Sequence, residues 1–341
     1  MRWRRFFIGT RSGFIASWFK PREAPVSNAN ELRRRFLASG SDDDLPIADA
    51  HQHFFDIERN YYPWLADKPV KNFRYGNYDA IRRTFLPADY FRAAGHHKIV
   101  KTVLIEGEWD PSDPLGELRW VESLQREHGF PHAMSAQAWL DREDVDAVLD
   151  VYGRHPLVKG IRHKPAALAR DEYTNGFVAP GSMRDRKWRD GYAKLRDHNL
   201  LFELQVFWWH FNEAAELARD FPETRIVINH TGLPADRSEQ GLKDWRNALE
   251  LVAREPNVHL KISGICIPGQ PWSVEANAPV VRTAIDVFGA KRCSFASNFP
   301  VDGVVNRMTD IFDGFKAIAA PYSIEDRLAL FYDNAVSVYA M

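Results

Sequence analysis

The sequence predicts an α/β fold: a (β/α)8 TIM barrel with long βα loops and an N-terminal extension. Three observations point there. From residue 45 onward, eight short apolar or β-branched runs alternate with helix-patterned stretches. The first run leads into Asp49-Ala50-His51-Gln52-His53, where a doubly wound nucleotide-binding sheet would need a glycine-rich turn. Polar residues also gather at the ends of nearly all the runs, which is where a barrel keeps its active site.

Two units follow along the chain: an extension and linker over 1–45, and the barrel over 46–341. Residues 1–22 are basic and aromatic, with no acid before Glu23. Arg4-Arg5 ahead of Phe6-Phe7-Ile8 has the outline of an export signal, the minority reading. Arg11 interrupts the apolar stretch and no small-residue cleavage site follows, so an extension lying against the domain, a partner or a membrane surface is preferred. Residues 30–38 read as a short helix with Asn30 as its N-cap, and 39–44 (SGSDDD) as a polar linker.

The strands are expected at 46–51, 99–106, 132–138, 158–163, 201–206, 225–230, 258–263 and 292–297. Helical patterning between them is clearest over 212–220 and 244–254. The connections at 61–74 and 166–186 exceed ordinary barrel loops and suggest lids or substrate-binding segments.

The chain's 341 residues can bury a large core, and barrels of this length fold as one domain. The 45 basic and 46 acidic residues balance, so no global field favours nucleic acid, and no recognition motif is present. No apolar run is long enough to span a membrane. Cys266 and Cys293 could pair, but two cysteines make neither a disulfide framework nor a cysteine-rich metal site. A cytoplasmic enzyme with a small-molecule substrate fits these features and leaves a homo-oligomer open.

The first run ends with His51 and His53, which are two apart and therefore on one face. The second ends with Glu106 and Glu108, the fourth with Arg162 and His163. The fifth ends with Glu203 and Gln205, with His210 following. His230 ends the sixth, Lys261 and Ser263 the seventh, and Asn298 the eighth, with Asp302 in the next loop. Any one of these histidines is more often a satisfied core or loop residue. The whole set at strand ends is hard to explain by packing, because buried polar groups are costly unless they are paired or used. Trp208-Trp209 reads either as a platform for a substrate ring or as ordinary packing.

These motifs carry a resemblance. Residues 48–56 (ADAHQHFFD) with 62–65 (YPWL) resemble the opening of the amidohydrolase-related lactonase group of the amidohydrolase superfamily. That group includes L-fuconolactonase, 2-pyrone-4,6-dicarboxylate lactonase and galactarolactone isomerase. The likeness continues through 106–108 (EGE), 158–163 (VKGIRH), 202–205 (FELQ), 228–234 (INHTGLP), 261–264 (KISG) and 295–302 (FASNFPVD), in order over about residues 46–340. It implies a hydrolase that opens a small sugar-acid or carboxylated lactone in carbohydrate or aromatic catabolism. His51, His53 and His230 would belong to its active centre. Arg162 and Lys261, with His163 beside them, would hold a carboxylate or polarise a carbonyl, and Glu108, Gln205 and His210 would contact substrate.

One position departs from the superfamily pattern. The usual strand-eight aspartate, which takes a proton from the attacking water, is here Asn298. An amide cannot be that base, so either a histidine or Asp302 takes the part, or the chemistry differs, or the activity is lost. His230 or His53 is preferred, with a pH limb near 6 to 7. His51, His53 and His230 could bind zinc, but the strand-eight carboxylate is missing and Lys159 lies too early in its strand to bridge metals. A mechanism needing no cofactor is preferred. The alternatives are a zinc-dependent decarboxylase or amidase of the same superfamily, or a catalytically silent binding barrel.

Overall fold

The computed structural model describes residues 29–341 apart from 68 and 72. Expectations for the basic segment over 1–22 lie outside the described residues. Eight strands form one parallel sheet in chain order: β1 Pro46–Gln52, β2 Lys98–Ile105, β3 Ala133–Gln137, β4 Val158–Arg162, β5 Leu201–Leu204, β6 Ile226–Ile228, β7 Val258–Ile262 and β8 Cys293–Phe295. Each coincides with an expected run, with ends that differ by a few residues at most: β1 runs one residue further, β2 begins one residue earlier, and the others are shorter. The sheet closes beyond β8, where the Asn298 amide donates to the His51 carbonyl and the His53 amide to the Phe299 carbonyl, both at 2.8 Å. The barrel is thereby nearly closed.

A helix follows every strand. After α1 (Ala29–Ser39) come α2 Pro87–Ala94, α3 Gly116–His128, α4 Val145–Arg154, α5 Arg186–Ala193, α6 Phe211–Asp220, α7 Glu239–Val252, α8 Val274–Phe288 and α9 Met308–Ala319. Local chemistry sets their ends. Ser238 and Ser273 accept from backbone amides three residues on, at 3.1 and 3.2 Å, and so cap α7 and α8. Gly129 ends α3 in the left-handed region at φ 73°, where a side chain would be strained. Asn30 corrects the expected cap: it lies within α1, not ahead of it.

Apolar strand residues such as Ile47, Val103, Ile161, Phe202 and Ile228 are fully buried, and Phe202 packs against Trp188 and Tyr192 of α5. Helix α1 packs Leu32 and Phe36 inward, and Arg33 pairs with Asp333 at 2.9 Å near the C-terminus. Cys266 and Cys293 are both free and buried, so they do not pair. Among the described residues no helix is long and apolar enough to cross a membrane. The 61–74 connection carries a short helix, Pro63–Ala66, while the long connection from β4 to α5 has no regular structure.

Candidate active site

The carboxyl ends of the strands open into a cavity of about 520 Å³. Of the residues expected from the sequence, His53, Glu108, Arg162, Gln205, His230 and Asn298 line it, together with Glu106. Backbone geometry is strained around this rim. Glu108, His230, Thr231, Leu233 and Asn298 all have φ between 53° and 60°, which non-glycine residues seldom adopt outside functional sites.

Three imidazoles form one group. The ring of His51 lies 5.1 Å from that of His53 and 4.6 Å from that of His230. His51 does not line the cavity. It lies fully buried beside the other two, and neither of its ring nitrogens has a protein partner. His53 Nδ1 sits 2.8 Å from the Ile105 carbonyl. A carbonyl can only accept, so Nδ1 carries the proton and Nε2 keeps the basic lone pair. His230 Nδ1 is 2.9 Å from the Ser263 hydroxyl, which can donate or accept. Burial holds all three well below the ordinary histidine value. Nearby cations add to this, chiefly Lys261 for His51, Arg162 for His53 and Arg74 for His230. All three are therefore neutral at pH 7.

Arg162 is fixed by a fork. Its Nε pairs with the Glu106 carboxylate, Nη2 donates to the Glu106 carbonyl at 2.7 Å, and Nη1 donates to Gln205 at 3.1 Å. Glu106 also accepts from the Glu108 amide at 2.6 Å, and Glu108 pairs with Lys164.

Other expected contacts require correction. Lys261 does not line the cavity. Its ammonium donates to Glu203 at 2.8 Å in a buried cluster with Ser135, Asn229 and Tyr339, and burial pushes its pKa down to about 8 against the pull of Glu203. His163 turns away: its Nδ1 accepts from the Leu140 amide and the Trp188 indole, both at 3.1 Å. His210 Nε2 accepts from the Leu168 amide at 3.0 Å and ties down the 166–186 loop. Trp208 and Trp209 also stay outside, while their neighbour Phe207 lines the cavity. Asp302 stands behind Asn298, whose amide donates to it at 2.6 Å. Tyr75 and Arg74 donate to the same oxygen at 2.9 and 3.0 Å. Burial raises the Asp302 pKa, opposed first by Arg74.

Sequence reasoning missed the opposite wall. Arg74, Tyr75, Arg237 and Cys266 line the cavity from loops after β1, β6 and β7, with Trp64 and Phe73 as aromatic packing. Only the unusual length of the 61–74 connection signalled any of it.

The donor set is poorly arranged for a metal ion. The histidine trio does not bring one nitrogen from each ring to within 4.8 Å of the others. Among the described residues only His96, His97 and Asp313 do so, in the turn entering β2 and on α9. The trio also lacks a carboxylate and is flanked by Arg162 and Lys261, whose charge opposes a cation. These residues therefore do not fit a preformed zinc site.

Comparison with known proteins places these features in a family. The profile described as Amidohydrolase matches residues 48–341. An uncharacterized protein of Sinorhizobium fredii is 38% identical over 300 residues, covering 87% of this chain and 99% of its own. An L-fucono-1,5-lactonase of Burkholderia ambifaria is 28% identical, covering 77% of this chain and 83% of its own. A crystal structure of a Burkholderia multivorans amidohydrolase with bound zinc superposes with a TM-score of 0.71 at 20% identity, covering 86% of this chain and 99% of that one. The chain belongs to the amidohydrolase family.

Proposed function

We propose that this protein is a lactonase that opens a small sugar-acid or carboxylated lactone by attack of water. The observation that carries the reading is His53, a neutral imidazole on the cavity wall whose Nδ1 proton is committed to Ile105 and whose Nε2 is therefore basic. Similarity to the L-fucono-1,5-lactonase supports the substrate class.

The reaction then runs through the chain's own groups. His53 Nε2 takes a proton from water, and the hydroxide forms a bond to the ester carbonyl carbon. Asn298 raises the proton affinity of His53 and so would stabilise the imidazolium once it forms. Arg162 and His230 face the oxygen on which negative charge develops. The C–O ring bond breaks, and His53 returns its proton to the departing ring oxygen, giving an open hydroxy acid. Asp302 needs no direct part because it is engaged by Asn298, Arg74 and Tyr75. A pH-indicator assay over sugar-acid lactones and pyrone dicarboxylates tests this. Turnover of at least one is expected, and folded protein that opens none of them defeats it. A melting shift without turnover would leave a binding barrel.

A zinc-dependent decarboxylase or amidase is the second reading, favoured by the zinc bound in the Burkholderia multivorans structure and by the partnerless nitrogens of His51. Activity should survive chelation. Decarboxylation or amide cleavage that is lost on chelation and restored by zinc, in wild type and in His96→Ala alike, would establish the second reading.

A further inference from the structure

Four cations line the cavity, and three have carboxylate partners. Arg162 pairs with Glu106, Arg74 with Asp302 at 3.0 Å, and Lys164 with Glu108. The fourth is Arg237, in the loop between β6 and α7. Its Nη2 donates to the Ile265 carbonyl at 2.9 Å, while Nη1 is buried and meets no protein acceptor. No carboxylate among the described residues forms a salt bridge with it. Apolar Leu233, Pro234, Ile267 and Pro268 line the same cavity. Burial draws its pKa down to about 10, so it remains charged at neutral pH. Arg237 is part-buried, and a guanidinium nitrogen shut off from water without a counter-charge is costly, while partial burial strengthens its attraction for an anion entering the cavity.

We propose that Arg237 is the recognition group for a carboxylate on the substrate, so that the ring opened here carries a free carboxylate outside its ester. This rests on the lactonase reading and narrows it to anionic lactones. A planar fork of N–H donors matches a carboxylate better than it matches hydroxyls. The placement is also suitable. His53 and Arg162 come from β1 and β4, whereas Arg237 reaches the cavity from the loop after β6. An anchored carboxylate would thus fix which end of the ring meets the base. Arg237 binds and orients in this scheme and takes no part in proton transfer.

Calorimetric titration with two ring ligands that cannot be hydrolysed provides the test: tetrahydropyran-2-carboxylate and tetrahydropyran-2-carboxamide. Wild type should bind the acid at least about tenfold more tightly, the scale of one hydrogen-bonded charge pair. Arg237→Gln should reduce that preference to near unity with little change in amide affinity, and Arg237→Lys should keep part of it. Should the glutamine variant fail to fold, the lysine variant and the wild-type preference still decide. Equal affinity for acid and amide in wild type overturns the proposal. So does a preference that survives in Arg237→Gln, or binding of neither ligand at millimolar concentration. Binding is read without turnover, so this outcome is separable from failure of the lactonase reading.

Discussion

The cavity has two walls of different character. One is built at strand ends, where His53, Arg162, His230 and Asn298 are each 4% exposed or less and are fixed by the sheet and its hydrogen bonds. The other comes from loops, where Val70 is 50% exposed and the Arg74 side chain 28%. Groups that must meet a reacting atom within a fraction of an ångström belong on the rigid wall. Groups that select a substrate's outline and charge can ride on loops. The contrast predicts that strand-wall changes act on kcat and loop-wall changes on KM.

The largest effect should follow His53→Asn, which removes the basic Nε2 and should lower kcat roughly a hundredfold or more, the usual scale for a general base. Asp302→Asn should cost about tenfold or less, because Asp302 positions Asn298 and Arg74 from behind the wall. Steady-state kinetics on folded variants decides between them. Near-normal turnover in His53→Asn with none in Asp302→Asn would make Asp302 the relocated base. The pH profile sharpens the point. A base works in its neutral form, so the rate rises with pH through the base's pKa. Burial and Arg162 hold His53 well below 6.5, so the rising limb should fall below the 6 to 7 expected from an ordinary histidine.

The strand wall was legible in the sequence and the loop wall was not. Short apolar or β-branched runs end at polar residues, and the parallel barrel brings those ends together whatever the intervening helices are. His53, Arg162, His230 and Asn298 could therefore be named in advance. Reach and direction could not be named. Lys261 ends its strand as expected, yet Glu203 on β5 captures it below the cavity. His163 follows Arg162 directly, and alternation along the strand turns it toward Trp188 on α5. Arg237 and Arg74 sit in irregular backbone, where no period tells a reader which side chain turns inward.

A smaller effect is expected at His163 and His210, which lie outside the cavity. His163→Gln and His210→Gln should leave kcat within about threefold. Each should lower stability by about 1–3 kcal/mol, the cost of leaving a buried donor without its acceptor. Thermal melts alongside kinetics check this. A hundredfold kinetic loss in either variant would place it in the catalytic machinery and blur the distinction between the walls.

The smallest effect on kcat should appear at the joint between the walls. Glu117 on α3 accepts from the Gly107 amide at 2.8 Å, and the Gly107 carbonyl accepts from the Trp64 indole of the loop wall at 2.8 Å. Its other carboxyl oxygen is buried without a protein partner. Burial, with Glu106 adding repulsion, pushes its pKa up to about 8, so the folded protein keeps it protonated at neutral pH. The unfolded chain releases that proton near 4.5. The stability gained from the neutral carboxyl is therefore complete below about pH 4.5 and is lost progressively as pH rises through 8. Glutamine keeps the carbonyl that accepts from Gly107 and has no proton to lose. Melting temperatures of wild type and Glu117→Gln should differ by a constant amount below about pH 5, then shift in favour of the variant as pH rises to 8. Because Glu117 acts only through the backbone of Gly107, kcat should not change. Parallel curves over the whole range would show that Glu117 is already ionised in the fold, and the joint would then hold a buried charge.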